Sequence, residues 1–262
     1  MVDYDEAEPV GRRPHFAFVD ADNLFRGFSD VLSRAKAPSD LVEKLDISAV
    51  VPYEFDRIYL YHAAKSDQVL PRWLKNWREQ DGVILRLGRT TNKRNVTKQE
   101  GVDVQLAIEA LRYSYRSIMQ SCTLYSEDGD FLPLVDELVS NGTFVTVSGF
   151  SSAEIGDVTP AFRDRSDRYR RITNEEILGT FSPYAGPRKV HSSQRIDLSD
   201  AVSLKTWVGE TVTVLSQSEE KVKVYIPPEP PRLTGYVRLF PSIEHVHLWS
   251  ALKSTRSNDG MF

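Results

Sequence analysis

The sequence predicts an α/β fold: a three-layer, doubly wound parallel sheet with a small β-rich module behind it. Three observations carry the class. Apolar runs too short for buried helices, such as Phe16-Ala17-Phe18-Val19, read as strands covered on both faces. Amphipathic stretches at helical spacing separate these runs, and strict alternation of the two kinds implies right-handed crossovers onto a parallel sheet. Beyond about Ile196 the pattern changes to period-two runs punctuated by turn residues, as in a β-barrel or meander.

The first strand, near His15–Asp20, ends in Asp20-Ala21-Asp22-Asn23. Its carboxylates therefore emerge at the C-terminal edge, where open α/β sheets bind ligands. Leu24, Phe25, Phe28, Val31 and Leu32 place a helix over residues 23–34, broken by Ala37-Pro38-Ser39-Asp40, and Leu41–Val51 reads as a further short helix. Arg57–His62 is the second strand, with His62 as a hydrogen-bonding strand end rather than a metal ligand. Val69, Leu70, Trp73, Leu74 and Trp77 predict a helix over 68–80 with both tryptophans in the core, stopped by Asp81-Gly82 before a strand at Val83–Leu87. Arg86 to Lys98 then reads as a loop. It carries Arg86, Arg89, Lys93, Arg94 and Lys98 with no acidic residue, and Arg89, Lys93, Arg94 and Lys98 are candidate contacts for a phosphate backbone.

A long helix is expected from Gly101 to about Met119, with Val104, Ala107, Ile108 and Leu111 buried and Asp103 in its first turn, where the helix dipole favours negative charge. The strand Ser121–Tyr125 delivers Ser126-Glu127-Asp128-Gly129-Asp130. A helix bearing Phe131, Leu134, Val135 and Leu138 follows, with Asp130 as its expected N-cap and Pro133 tolerated in the first turn. Strands at Thr143–Ser148 and Arg168–Ile172 and a helix at Asn174–Leu178 complete the alternation. Arg163, Arg165, Arg168, Arg170 and Arg171 read as a solvated basic face.

The expected organisation is a loose tail over residues 1–13, an α/β domain over 14–181, a Pro-, Gly- and Ser-rich linker over 182–196, and the β-rich module over 197–262, whose role is unreadable. A formal net charge of -4 and a pI near 5.8 exclude bulk positive charge as a route to nucleic acid, so such binding requires local patches. The lone Cys122 lies in a strand run and reads as a buried thiol. With no apolar stretch of membrane-spanning length and an acidic start, the chain is expected to be soluble and cytoplasmic.

A parallel sheet would gather Asp20, Asp103, Asp128 and Asp130 at one edge, with Asp22, Asn23 and Ser126 in support. Packed carboxylates raise one another's pKa, and hard, oxygen-loving Mg²⁺ or Mn²⁺ relieves the repulsion. Such a site suits phosphodiester hydrolysis.

At these positions the chain resembles a known family. Phe18-Val19-Asp20-Ala21-Asp22-Asn23-Leu24, Gly101-Val102-Asp103-Val104-Gln105-Leu106-Ala107 and Ser126-Glu127-Asp128-Gly129-Asp130-Phe131-Leu132-Pro133 look like the three signature motifs of NYN domains, the PIN-like nucleases that include LabA-type proteins. The resemblance spans about residues 14–180. It implies a PIN-like three-layer fold and a metal-dependent ribonuclease site in which Asp20, Asp103, Asp128 and Asp130 match the family's acidic positions. One departure is Glu100, which stands where the family usually has a lysine; the nearest lysine is Lys98. Two other readings remain open. One is a haloacid-dehalogenase-like phosphatase, with Asp20 and Asp22 as nucleophile and acid. The other is a non-catalytic RNA-binding or scaffold module. A homo-oligomer, or a protein partner engaged through the C-terminal module, is compatible with either.

Overall fold

A computed structural model of the chain describes residues 14–37, 41, 45–52, 54–63, 70–93, 96–150, 158–180, 189–190, 198–218, 221–227 and 236–258. At 72–73, 89–93, 96–100, 158–159, 189–190 and 254–258 the description covers the backbone alone. The expected tail, the expected linker except for its residues 189–190, and Arg94 lie outside the described residues.

The first sheet has seven strands in the order β4-β3-β2-β1-β5-β6-β7. They are β1 (His15–Asp20), β2 (Arg57–Ala63), β3 (Val83–Lys93), β4 (Val96–Glu100), β5 (Ser121–Tyr125), β6 (Phe144–Gly149) and β7 (Arg168–Arg171). All pair in parallel except β4, which returns antiparallel along β3. From β1 the chain winds outward through β2 and β3, then recrosses to build β5, β6 and β7 on the other side. The topological switch point, and hence the crevice, falls between β1 and β5.

Helices cover both faces. On one, Leu24, Phe28 and Leu32 of α1 (Ala21–Arg34), Leu74 and Trp77 of α2 (Arg72–Arg78) and Ile177 and Leu178 of α6 (Asn174–Gly179) bury against Ala17, Val19, Ile58 and Leu60. On the other, α3 (Val102–Tyr115), α4 (Leu132–Ser140) and α5 (Val158–Arg165) cover Phe16, Phe18, Tyr59, Tyr61, Leu124 and Val147. Cys122 is buried in that second layer, which pushes its thiol up to about 12. Trp77 is core, as expected, whereas the side chain of Trp73 lies outside the described residues.

Three expectations are corrected. Leu41–Val51 holds no α-helix among its described residues; a 3-10 turn at Ile47–Ala49, capped by Asp46, suffices to bury Leu41, Leu45, Ile47, Val50 and Val51. Arg86–Lys98 is no loop: β3 runs on beyond its last parallel pair, Ala63↔Gly88, and β4 pairs back onto it from Arg89↔Glu100 to Lys93↔Val96. An edge hairpin needs no apolar face, so its polar alternation concealed it.

Helix α3 is rotated by about one residue from the expected stripe. Val102, Leu106, Ala110 and Ser114 are buried, while Val104 and Ile108 are 61% and 50% exposed. Apolar residues surround this helix, so periodicity alone does not orient it. Glu109 does: its Oε1 and Oε2 accept from Arg86 Nε at 2.9 and 3.1 Å, and Tyr61 Oη donates to Oε2 at 2.8 Å. Arg86 is thereby committed to an internal ion pair. The arginines near β7 are solvated as expected: Arg163, Arg165, Arg168 and Arg171 are exposed, with Arg165 paired to Asp136 at 2.6 Å, and half-buried Arg170 pairs with Glu176.

The second sheet has the order β8-β12-β11-β10-β9, from β8 (Lys189–Val190), β9 (Val202–Lys205), β10 (Thr211–Gln217), β11 (Val222–Ile226) and β12 (Tyr236–Phe240). All neighbours are antiparallel, so the meander form holds; it ends in an unforeseen helix, α7 (Ile243–Asn258). Val246 of α7 packs on this sheet, while Leu248, Ala251 and Leu252 join the core of the first sheet beside α1 and α6. Asn174 Nδ2 donates to the Leu252 carbonyl at 2.9 Å, and Arg238 pairs with Glu175 at 2.7 Å. No helix among the described residues is long and apolar enough to cross a membrane.

Close approach explains one glycine of α1. A Cβ at Gly27 would lie 2.1 Å from the Phe150 ring, which stacks edge-on against Phe28 at 4.8 Å. Helix propensity alone would make Gly27→Ala stabilising by about 1 kcal/mol. Overpacking costs roughly 1–3 kcal/mol. Gly27→Ala is therefore expected to lower the unfolding free energy in urea titration, and a more stable variant would show that Phe150 does not seat on this helix.

Candidate active site at the switch point

The register of the central strands creates the site. Parallel pairing sets Val19 opposite Tyr125 and Asp20 opposite Tyr61, so Asp20 and Ser126 leave the sheet side by side. Asp20 is 6% exposed and Ser126 2%. Ser126 Oγ donates to Asp20 Oδ2 at 3.1 Å and accepts from the Asp128 N–H at 3.2 Å. Asp20 also caps α1, its Oδ1 accepting from Asn23 N at 3.0 Å. Asp128 caps the 3-10 turn Gly129–Phe131, its Oδ1 accepting from Asp130 N at 3.1 Å. This exchanges the expected roles: Asp128 is the cap, and Asp130 stands in the first turn, because the chain makes a 3-10 turn before α4 begins at Leu132.

Asn23 and Asp22 tie neighbouring strand ends to this pair. Asn23 Oδ1 accepts from Glu127 N at 3.2 Å. Asp22 Oδ2 accepts from Ala63 N at 3.0 Å, and its Oδ1 stands 2.8 Å from His62 Nδ1 at the end of β2. Asp103 lies at the start of α3, after Gly101 in the left-handed conformation at φ 83°. Burial raises the Asp103 carboxyl above its ordinary value, the charges of Asp128, Asp130 and Asp22 raise it further, and Arg26 draws it back. The Asp20 carboxyl is pushed up to about 6, by burial first and more weakly by Asp103 and Asp22, against the lowering effect of the Asn23 and Ser126 hydrogen bonds. The five carboxylates thus form one electrostatic unit.

Among the described residues no group of three or more His, Cys, Asp or Glu side chains encloses an ion-sized space. The donor set is nevertheless all carboxylate oxygen, and it carries mutual repulsion at a buried position. Such a set fits a hard divalent cation, which would replace the proton favoured by Asp20. Of the basic candidates, Arg89, Lys93 and Lys98 lie on the β3–β4 hairpin, which extends past the carboxyl end of β2; their side chains, like all of Arg94, lie outside the described residues.

Sequence reasoning missed Arg26 and Glu127 as members of this neighbourhood, while His62 is the strand end that was expected, paired with Asp22. Asp22 and Arg26 have i, i+4 spacing, which places Arg26 on the cluster's side of α1 and was the one available signal. Glu127 braces the edge: Oε2 accepts from Phe150 N at 2.7 Å and Oε1 from Tyr169 Oη at 2.6 Å.

The sequence profile of the NYN domain matches residues 16–173. The chain belongs to the NYN domain family. NYN domains are PIN-like and generally nuclease-like, and the three acidic segments all fall within the match, whereas β8–β12 and α7 lie beyond it. No curated protein matches the chain. Among solved structures, a protein of unknown function from Vibrio parahaemolyticus is 17% identical, with 63% of this chain and 96% of that one covered at a TM-score of 0.46. A putative oxidoreductase from Parabacteroides merdae is 8% identical, with 62% and 32% covered at a TM-score of 0.28. Both likenesses are too distant to carry a functional argument.

The strain at Asp20 is measurable. A carboxyl whose folded pKa is raised is favoured by folding below its unfolded value, 3.8, and that advantage is lost as pH rises through about 6. The difference corresponds to roughly 3 kcal/mol above pH 6 in chelator-containing buffer. Asp20→Asn keeps the capping oxygen without the charge. It is expected to be more stable than the parent chain at about pH 7.5, with the gain shrinking towards about pH 4; a pH-independent difference in urea unfolding would contradict the electrostatic assignment.

Proposed function

We propose that the chain is a metal-dependent ribonuclease that cleaves within RNA strands, using Mg²⁺ or Mn²⁺ held by Asp20, Asp103, Asp128 and Asp130. The observation that carries this reading is the hydrogen-bonded run Asp20–Ser126–Asp128 at the switch point, with Asp20 and Ser126 buried, Asp128 half-buried and Asp103 and Asp130 electrostatically joined to it. A bound divalent cation would supply polarisation of the phosphoryl oxygen and a water of lowered pKa.

The protein's own part is placement. Ser126 and Asn23 hold Asp20 in one orientation, and Asp128 is fixed by its cap. The N-termini of α1 and α3 direct positive dipole ends towards the crevice, which lowers the cost of bringing a polyanion there. The β3–β4 hairpin that carries Arg89, Lys93 and Lys98 extends past the carboxyl end of β2, and these residues with Arg94 supply the positive charge that draws RNA to an otherwise acidic surface. Asp22 is committed to Ala63 N–H and His62, which disfavours its service as the acid of a phosphatase.

Asp20→Asn, Asp103→Asn and Asp128→Asn are each expected to lower Mn²⁺-dependent cleavage of fluorescently labelled single-stranded RNA by roughly a hundredfold or more. Ser126→Ala, which frees rather than removes the ligand, is expected to cost about 10–100-fold. Absence of metal-stimulated cleavage by the parent chain, or full activity in the aspartate variants, would overturn the assignment.

A further inference from the structure

Among the described residues, a hydrophobic core covers one face of the second sheet. Its inner residues, Val214, Val222, Val224, Ile226 and Phe240, form a core with Val246 of α7. Directly paired residues of antiparallel strands share a face, so the register defines the other side. Thr211 pairs with Lys205, Thr213 with Ser203 and with Tyr225, and Lys223 with Leu239. Lys205, Thr211, Ser203 and Lys223 are exposed, Thr213, Tyr225 and Leu239 half-buried, and Val237, which pairs with Tyr225 on the same face, is buried. The buried side chains of α7 pack on the inner residues and on the first sheet.

The charge of this face is one-signed. The five strands contain no aspartate or glutamate, although the chain as a whole has 37 acidic residues against 33 basic. The inward cation, Arg238, is held by Glu175 and lies over Phe240 and Trp249, so Lys205 and Lys223 are the cations that face out among the described side chains. From β9 to β12 the face spans roughly 14 Å, three inter-strand steps. A protein-binding surface centres on a larger apolar patch. A platform with one aromatic ring, flanking lysines and short hydroxyl side chains instead suits a single nucleic-acid strand: the ring stacks a base, the lysines meet phosphates, and the hydroxyls bond sugar or phosphate oxygens.

We propose that the outer face of the second sheet, centred on Tyr225 between Lys205 and Lys223, binds single-stranded RNA and holds the substrate strand outside the catalytic crevice. The proposal deepens the ribonuclease reading in naming a second RNA contact. Binding is read without metal and without cleavage, so failure of either idea is visible separately.

The test is fluorescence anisotropy of a labelled oligouridine of about 20 nucleotides with the full chain in EDTA, over a series of salt concentrations. Lys205→Gln/Lys223→Gln is expected to weaken binding about tenfold at low salt and to reduce the slope of log K against log salt by about 1.4, two phosphate contacts on a single strand. Tyr225→Ser is expected to weaken it roughly tenfold with the slope unchanged. Cleavage of a short substrate confined to the crevice should be unaltered in both. Parent-like affinity and slope in both variants would overturn the proposal, as would equal affinity for duplex RNA that is indifferent to Tyr225. A change in sedimentation mass without loss of RNA affinity would assign the face to a second copy of the chain and overturn it also.

Discussion

The hydrogen bond from Ser126 Oγ to the buried carboxylate of Asp20 joins the ends of the two central strands, and the rest of the site is arranged from it. It forms because β1 and β5 are in register to their last pair, and it lies in the crevice because the chain changes winding direction between those strands. The same two turns cap helical segments, Asp20 for α1 and Asp128 for the 3-10 turn. A cap contributes about 1 kcal/mol, less than the cost of a charge held where water cannot reach it. The capping geometry therefore places the carboxylates, but it does not compensate for their charge. That imbalance is what a divalent cation is suited to remove.

Support for the edge comes from beyond it. Glu127 reaches from β5 to the ends of β6 and β7, and a Cβ at Gly149 would stand 2.1 Å from its Cδ, so the strand ends are packed to contact around it. Helix α7 extends this outward: its apolar side chains enter both the core beside α1 and the core of the second sheet. The antiparallel sheet is thus held against the nuclease-like fold by buried surface and by the Arg238–Glu175 pair. A surface on that sheet would keep a fixed relation to the crevice.

The alternation of apolar runs made the parallel sheet legible, and three acidic motifs in order made the family legible. Both were local signals, strong because a strand buried on two faces has few alternatives. What failed was orientation and edge structure. Helix α3 has apolar residues around its circumference, and its rotation is decided by Glu109 meeting Arg86 and Tyr61 from strands 23 and 48 residues away. The β3–β4 hairpin and α7 depend on pairing and docking partners that the local pattern does not encode. In the site, the positions of Asp20, Asp103 and Asp128 at strand or helix ends could be read from the sequence, but the exchange of capping roles between Asp128 and Asp130 could not, since a 3-10 turn and a helix start share the same residue preferences.

The account rests on a cation replacing the proton that Asp20 otherwise favours. The most direct measurement is anomalous scattering from a crystal soaked in Mn²⁺. The expected result is a peak bounded by carboxylate oxygens of Asp20, Asp103, Asp128 and Asp130, with the Ser126–Asp20 hydrogen bond retained. A fully soaked crystal with no peak in this crevice, or with Mn²⁺ bound only at other carboxylates, would contradict it.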